Sequence, residues 1–412
     1  MSFQTGLSGL NASSQSLDVI GNNIANANTV GMKSSRAEFA DLVASSIGAG
    51  GSANTPGIGT AVAAISQEFT QGNVSITGNS LDVAINGSGF FQLTKTDGST
   101  AYSRDGQFKL DKDGNIITNT GSFLMGYPTD ATGATTSFTT QKLKVPTGAP
   151  IAAKSTATIT AEFNLDARAA IATNTTAPAQ YGTSLLAYDS QGVEIPVSLY
   201  FVKSGQDTWK VYNDVATAQA DITAGTYGNA TTTMSFSPSG VLTAPAAPIT
   251  INIQSPNTNI GVGGLFPVQL DMTSATQFGV NYAVSNLSQD GYTSGEFTGL
   301  SIDNRGVITT RYSNGQTLKD GGMVALADFR NVQGLNPNGS GEYQETFKSG
   351  PAVMGQPTVG RFGQLRSGAL EESNVDLTAE LVNMMTAQRN YQANAQTIKT
   401  QDQIMSTLVN LR

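Results

Sequence analysis

The sequence contains no cysteine and no histidine. Without cysteine the chain has no disulfide and no thiol nucleophile, and without histidine it lacks a histidine-based triad and the usual zinc ligand sets. The single tryptophan, Trp209, falls in a predicted strand, which favours a core position over an exposed platform for saccharides. We therefore expect no catalytic residues, no metal and no cofactor.

Charged residues are scarce, at 13% of the chain, and the formal net charge is -8. An acidic, weakly charged chain is a poor partner for nucleic acid or an anionic membrane. No apolar run approaches the roughly 18 residues of a membrane-spanning helix, and the first residues lack the basic and apolar regions of a secretory signal. We expect a soluble chain without membrane insertion, whose subunits can approach one another without desolvating many ions.

Both ends of the chain carry apolar residues at the alternating four- and three-residue spacing of helices that bury one stripe. The spacing predicts a helix over 377–409, capped by Ser373 or Asp376, and a helix over 3–24 that ends in the turn at 26–31. Glycines lower the intrinsic stability of the N-terminal helix, so we expect it to form only when packed. The C-terminal helix has more apolar surface than one partner covers, which favours packing against further subunits over a closed two-helix core.

The sequence between these helices is typical of β-structure. Short alternating runs with Asn-Gly and Asp-Gly turns fill 71–145 and return at 281–365, whereas 146–280 has more Ala, Thr and Pro. A transitional segment, 34–70, includes a predicted short helix over 35–46. This order predicts that the middle unit is inserted into the first β domain.

Three short motifs resemble ligand sites but fit structural roles better. Asp111–Asn115 lacks the later ligands of a calcium loop, so it is interpreted as a hairpin turn. Gly261–Gly264 has neither the Lys-Ser/Thr nor the helix of a phosphate-binding loop. Glu371 and Glu372 are adjacent, and neighbouring side chains point apart, so we expect a solvated face rather than an acid–base pair.

Two longer motifs carry a family resemblance. Residues 17–33 read LDVIGNNIANANTVGMK and closely resemble the N-terminal signature of the bacterial flagellar rod and hook axial proteins, with Met32 where the family usually has Phe. Residues 373–394 resemble the C-terminal signature of that family. The chain length and the segments 268–279 and 324–335 are similar to the hook members rather than to the shorter rod members.

The resemblance implies a structural subunit rather than an enzyme. Hook members form a flexible hollow tube, a universal joint that transmits torque from the rod to the filament. The implied partners are further copies of the chain, the distal rod, the hook cap, the hook–filament junction proteins and the flagellar type III export apparatus. Export by that route to the extracellular flagellum would need no cleaved secretory signal. A distal rod component and a secreted binding or adhesin module remain as alternatives.

The predicted fold class is α+β, with paired N- and C-terminal coiled-coil-like helices and two nested, mainly antiparallel β domains. The predicted domains are a terminal helical domain that forms the inner tube (1–33 and 366–412), a linker (34–70), a first β domain (71–145 and 281–365) and an inserted outer β domain (146–280). We expect subunits to polymerise through the heptad positions of the helices. These are Phe3, Leu7, Leu10, Leu17, Ile24, Leu377, Leu381, Met384, Tyr391, Ile398 and Met405.

Overall fold

The computed structural model describes residues 2–43, 57–148, 150–173, 180–225, 227–259 and 264–410. The chain folds into two compact units. The first unit comprises Met1–Gly148, Gly299–Arg311 and Thr317–Arg412, and the second comprises Ala149–Thr298 and Tyr312–Gln316.

The N-terminal part of the first unit is a long helix, followed by two longer strands and then by a series of short strands. The observed helix starts and ends within one residue of the predicted 3–24, so that prediction is confirmed. The elements of this part are α1 (Ser2–Ala25), β1 (Ser35–Val43), β2 (Gly57–Gln67), β3 (Val74–Ile76), β4 (Val83–Asn86), β5 (Phe90–Thr94), β6 (Thr100–Ser103), β7 (Phe108–Leu110), β8 (Ile116–Thr118), β9 (Phe123–Tyr127) and β10 (Gln141–Lys142).

The helix predicted over 35–46 is wrong for the residues that the structure describes. Residues 35–43 form β1, which pairs antiparallel with β2, while residues 44–46 lie outside the described part. Arg36 of β1 also forms an exposed ion pair with Glu68, the residue after β2, at 3.3 Å. Pairing with the neighbouring strand β2 outweighs the weak helical preference of the segment.

The second unit is built mainly from longer strands, and it adds one helix that the sequence analysis did not predict. Asp214 accepts a hydrogen bond from the Thr217 amide at the start of this helix, and Gly225 ends it in the left-handed conformation, so a capping signal was present. The elements of the unit are β11 (Thr158–Asp166), β12 (Tyr181–Tyr188), β13 (Glu194–Gly205), β14 (Thr208–Tyr212), α2 (Val215–Ala224), β15 (Thr232–Phe236), β16 (Leu242–Ala244), β17 (Ile249–Gln254), β18 (Leu265–Asp271), β19 (Thr276–Phe278) and β20 (Ala283–Gln289).

Two sheets enclose the core of the second unit. One is antiparallel, in the order β12-β13-β14-β15-β16, and the other is mixed, in the order β17-β18-β11-β19 with β20 also on β11. Alternate side chains such as Phe163, Trp209 and Leu270 are buried in one apolar cluster between them. Because β20 pairs with β11, residues 283–289 belong to this unit rather than to the predicted segment 281–365.

The C-terminal part of the chain returns to the first unit and ends in a long helix. That helix covers the predicted span 377–409 and confirms it. The elements are β21 (Phe297–Ile302), β22 (Ile308–Tyr312), β23 (Thr317–Leu318), β24 (Met323–Val324), β25 (Leu326–Asp328), a 3-10 turn (Val332–Gly334), β26 (Asn336–Pro337), β27 (Glu342–Gln344), β28 (Val353–Gly355), β29 (Gln364–Ser367), β30 (Ala369–Glu371) and α3 (Leu377–Asn410).

The central sheet of the first unit follows the order β26-β27-β6-β5-β9-β8-β7 and buries an aromatic cluster. Phe90, Tyr102, Phe329 and Tyr343 meet there edge to face, with ring centroids 4.8 to 5.9 Å apart. Strands β29 and β30 pair with β4 and β3, so the chain is still β-structure at residues 364–371. Within the predicted terminal domain, which starts at 366, helix α3 itself begins at Leu377, as predicted.

Candidate assembly interface

Helices α1 and α3 pack against each other in antiparallel directions. A methyl group added at Gly6 would lie 3.1 Å from Ile398 Cγ1, and one added at Gly9 would lie 2.8 Å from Asn394 Nδ2. Towards the other end, Asn23 Nδ2 donates a hydrogen bond to Glu380 Oε1 at 3.1 Å. The two glycines thus allow an approach of the helices that larger side chains would prevent.

The face of α3 that meets α1 is narrower and more polar than the predicted stripe. Within the described part of α3, Ala387 is the single buried residue. Glu380, Met384, Asn394 and Ile398 are partly buried on the same face. Their spacing is heptad-like, but only Met384 and Ile398 belong to the predicted interface.

The predicted interface residues fall into two groups within the single chain. The partly buried ones are Leu10, Leu17, Ile24, Met384 and Ile398. The exposed ones are Leu7, Leu377, Leu381, Tyr391 and Met405, with 38 to 55% of their surface accessible. The side chain of Phe3 lies outside the described residues. Half of the described set is therefore available for contacts beyond the chain itself.

Uncovered apolar side chains gather at both ends of α3. We define the N-terminal patch as Leu377, Leu381, Val382 and Met385, whose exposure is 43 to 52%. Ile404 and Met405 form a second patch near the other end. The exposed residues between the patches are mostly polar, such as Gln392 and Lys399. Patches of this kind mark contact surfaces, because they are seldom left facing water.

Asn23, within the N-terminal signature, anchors α1 to two other elements. Its side-chain amide donates to the Ser35 carbonyl at 2.8 Å and to Glu380 at 3.1 Å, and its oxygen accepts from the Ser35 amide at 2.9 Å. The residue is buried. This role was not predicted from the sequence, although asparagine is a weak helix former and its presence inside a helix is a signal of tertiary hydrogen bonding.

A buried charge cluster joins the N-terminal signature to the strand before α3. Lys33 Nζ lies 2.6 Å from Glu371 Oε1, and Arg104 Nη1 lies 3.1 Å from Glu371 Oε2. Lys33 also donates to the Thr70 carbonyl at 2.8 Å, and Arg104 donates to the Gly87 carbonyl at 3.0 Å. The cluster (Lys33, Arg104 and Glu371) thus ties together three segments that are distant in sequence.

The electrostatics of the cluster depend on its single carboxylate. Burial lowers the pKa of Lys33, whereas the hydrogen bond from its ammonium group to Glu371 opposes that shift. The guanidinium group of Arg104 also lies 5.2 Å from the centroid of the Phe90 ring. Two buried cations share one anion, so Glu371 is the residue on which the arrangement depends.

The prediction that Glu371 and Glu372 share a solvated face is wrong for Glu371. Glu371 is buried at the end of β30, whereas Glu372 is exposed and accepts a hydrogen bond from Asn73 at 3.2 Å. Adjacent side chains do point apart, as expected. In this strand, however, that alternation turns one of the two carboxylates inward.

The candidate calcium loop is a hairpin turn. Asp111 Oδ1 accepts hydrogen bonds from the amides of Asp113 and Asn115, at 2.9 and 2.7 Å, and Gly114 has φ +82°. Asp303 and Gly306 repeat this geometry in the later turn at 303–307. No cluster of metal-ligating side chains occurs in the described ranges.

Two further predictions concern the candidate phosphate loop at Gly261–Gly264 and the position of Trp209. In the candidate phosphate loop, Gly261, Val262 and Gly263 lie outside the described residues. Trp209 is fully buried, and its indole donates to Gln277 Oε1 at 3.1 Å, so the expected core position is confirmed. Among the helices that the structure describes, none is long and apolar enough to span a membrane.

Four family models match the chain in an order that follows its architecture. The flagella basal body rod protein model covers residues 3–33, which contain α1 and Lys33. The flagellar hook protein FlgE/F/G D1 domain covers 84–162, and the flagellar basal body protein FlaE D2 domain covers 159–292. The flagellar basal body rod FlgEFG protein C-terminal model covers 366–411, which contain Glu371 and α3.

The chain is 42% identical over 421 residues to the flagellar hook protein FlgE of Salmonella typhimurium, with 100% of both chains covered. It belongs to the flagellar hook protein family. Its identity to the hook protein of Escherichia coli is also 42%, again over the full length of both. The hook protein of Borreliella burgdorferi is 33% identical, and the match covers 100% of this chain and 99% of that one.

A solved hook protein structure shows the same fold. The crystal structure of Helicobacter pylori flagellar hook protein FlgE2 matches with a TM-score of 0.52 at 14% identity. The match covers 72% of this chain and 100% of that chain. At this identity the likeness is one of fold alone.

Proposed function

We propose that this chain is the structural subunit of the bacterial flagellar hook. Copies polymerise into a hollow, flexible tube that connects the basal-body rod to the filament and transmits torque. The single observation that carries the proposal is the pair of uncovered apolar patches on α3, in a chain that matches hook proteins over its full length. A helix with its own partner and further apolar surface is suited to packing in a polymer.

The exposed members of the predicted interface form the contacts between subunits, and the partly buried members hold α1 and α3 together within one chain. This assigns Leu7, Leu377, Leu381, Tyr391 and Met405 to neighbouring copies. Burying the remaining half of four side chains in the N-terminal patch contributes about 3 to 6 kcal/mol per subunit, before the entropy cost of association. Each subunit in a tube has several neighbours, so the free energies of several weak contacts combine to hold it in place.

We further propose that the terminal helices form the inner tube through coiled-coil-like packing and that the β domains form its outer layers. Bending then comes from sliding between weakly charged β surfaces, which desolvate few ions when they move. The distal rod, the hook cap and the hook–filament junction proteins are the proposed partners at the ends of the tube. The chain acts without a cofactor.

Export through the flagellar type III apparatus is the proposed route to the extracellular flagellum. Gly6, Gly9 and Gly21 weaken α1 as an isolated helix, at about 1 kcal/mol each relative to alanine. A segment that gains its helical form from packing is easily transported unfolded and is ordered on assembly. The low intrinsic helicity of α1 supports this route.

The test is polymerisation of the Leu381→Asp variant beside a Gln392→Asp control. Both residues are exposed on α3, but Leu381 lies in the N-terminal patch and Gln392 lies between the patches. We expect both variants to fold as monomers, and we expect only Leu381→Asp to lose assembly, because its charge would be buried against a neighbour. Negative-stain electron microscopy and sedimentation of concentrated full-length protein, with cap protein added, measure the outcome.

Curved tubes from the unsubstituted chain and the Gln392→Asp control would support the hook assignment. Straight, rigid tubes would instead indicate a rod component. Normal tubes from Leu381→Asp would contradict the role given to the N-terminal patch.

A further inference from the structure

The chain contains three Asn-Gly dipeptides, at residues 86–87, 314–315 and 338–339, and two of them share the tripeptide Asn-Gly-Ser. In the deamidation of an Asn-Gly dipeptide, the backbone nitrogen of the glycine attacks the side-chain carbonyl carbon of the asparagine. A five-membered succinimide forms and ammonia leaves. Water then opens the ring at either carbonyl, giving aspartate or isoaspartate. The reaction requires that the asparagine side chain can rotate and that the glycine nitrogen is free.

At Asn86 both reacting groups are held by Gln71. Gln71 Nε2 donates to Asn86 Oδ1 at 3.4 Å, and Gln71 Oε1 accepts from the Gly87 amide at 3.1 Å. The Gly87 carbonyl also accepts from the buried guanidinium group of Arg104 at 3.0 Å. Residue 86 is in addition paired within β4 to Gln364 of β29. The backbone here has little freedom to reach the cyclic geometry.

At Asn314 the reacting groups are held by the chain around the turn. Asn314 Nδ2 donates to the Thr293 carbonyl at 2.6 Å, and Asn314 Oδ1 accepts from the Gln316 amide at 3.0 Å. The Gly315 amide donates to the Tyr312 carbonyl at 3.1 Å. Several hydrogen bonds must break before this dipeptide can react.

At Asn338 the corresponding groups are free. Asn338, Gly339 and Ser340 are exposed in the loop between β26 and β27. The loop is held by hydrogen bonds from the Asn338 amide to the Glu342 carbonyl and from the Glu342 amide to the Gly339 carbonyl, at 2.8 and 3.0 Å. Neither the Asn338 side chain nor the Gly339 nitrogen has a hydrogen-bond partner among the described residues. Gly339, at φ +84°, has no side chain to restrict its movement.

We propose that Asn338 is a site of spontaneous deamidation in this protein, and that Asn86 and Asn314 are protected by their hydrogen bonds. The product carries a new carboxylate in the loop. Asn338 lines a cavity of about 170 Å³ together with Lys95 and Glu342. Lys95 Nζ lies 2.9 Å from Glu342 Oε2, so the new anion is placed beside an existing ion pair.

The experiment ages the purified full-length protein in mildly alkaline buffer and follows each dipeptide by peptide mapping with mass spectrometry. Exchange of the amide for a carboxyl group raises the peptide mass, and isoaspartate separates chromatographically from aspartate. We expect Asn338 to convert roughly ten times faster than Asn86 in the folded protein, because the reaction at Asn86 first requires loss of its hydrogen bonds. Asn314 is expected to be slower still.

The matched control is the same measurement in concentrated urea. Asn86 and Asn338 lie in identical tripeptides, so their rates should converge once the fold is lost. The Asn338→Gln variant should remove the conversion at 338 and leave the other two sites unchanged. Conversion of folded Asn86 or Asn314 as fast as Asn338, or a rate difference that persists in urea, would overturn the proposal.

Discussion

At the residue scale, Glu371 shows how one side chain can connect distant parts of a chain. Its carboxylate is buried with Lys33 and Arg104, and its backbone carbonyl accepts a hydrogen bond from the Gly31 amide at 2.8 Å. Glu372, one residue later, faces water. The two carboxylates are chemically alike, so their different surroundings alone decide what each contributes to stability.

We expect Glu371→Gln to destabilise the first unit by about 3 to 5 kcal/mol, because two buried cations lose the anion that pairs with both of them in the described part of the chain. Glu372→Gln is the control, and its effect should stay within about 0.5 kcal/mol because the side chain is exposed. Urea unfolding followed by far-UV circular dichroism gives both values. If the two substitutions changed the free energy of unfolding equally, the buried charge cluster would not be a specific source of stability.

We expect the buried side chain of Tyr343 to make the folded protein less stable at alkaline pH. Burial raises its pKa from 10.0 to about 12. The folded state therefore keeps a proton that the unfolded chain releases, so this contribution is complete below pH 10 and is lost as the pH rises towards 12. We expect the unsubstituted protein to lose about 2 to 3 kcal/mol more than Tyr343→Phe across this range. The test is the free energy of unfolding of the unsubstituted protein and of Tyr343→Phe, measured at about pH 9 and about pH 12. An identical loss of stability in the two proteins would contradict the prediction.

At the scale of elements, the two terminal helices have different relations to their surroundings. Helix α1 presents small and polar residues to α3 and contacts the β1–β2 hairpin, where the Thr60 amide donates to Ser8 Oγ at 3.3 Å. Helix α3 is paired on one face and leaves apolar patches on others. Periodicity located both helices well, but it did not show which face meets which partner.

Substitutions at two glycines of α1 test the close approach of the helices. A leucine at position 6 would collide with Ile398, whereas a methyl group at position 21 meets nothing within 4 Å. We expect Gly6→Leu to separate α1 from α3 and to speed amide hydrogen exchange along α1. Gly21→Ala should slow that exchange, because alanine favours the helix by about 1 kcal/mol. Equal exchange in the two variants would argue against direct packing at Gly6.

At the scale of the whole molecule, the chain forms two compact units with separate cores. Trp209, the single tryptophan, is buried in the core of the second unit. Its fluorescence therefore reports on that unit, whereas the buried charge cluster belongs to the first. Trp209 can therefore be used as a fluorescent probe of the second unit, while Glu371→Gln destabilises the first unit.

We expect Glu371→Gln to leave the tryptophan fluorescence transition in urea unchanged while it shifts the transition seen by circular dichroism. The reason is that each unit has its own core and can unfold by itself. A matching shift of both transitions would show that the units unfold together. The Glu372→Gln variant should move neither transition.

Local sequence patterns were sufficient to predict the terminal helices, the Asp-Gly turns and the family. Helical periodicity, turn residues and signature motifs act over short stretches, so they can be read without knowing what lies beside them. Three features follow from tertiary contacts instead: residues 35–43 form a strand, Glu371 is buried, and Leu381 is exposed while Ile398 is partly buried. Each of these depends on a contact with another segment of the chain, and the local pattern of residues does not show which segment makes that contact.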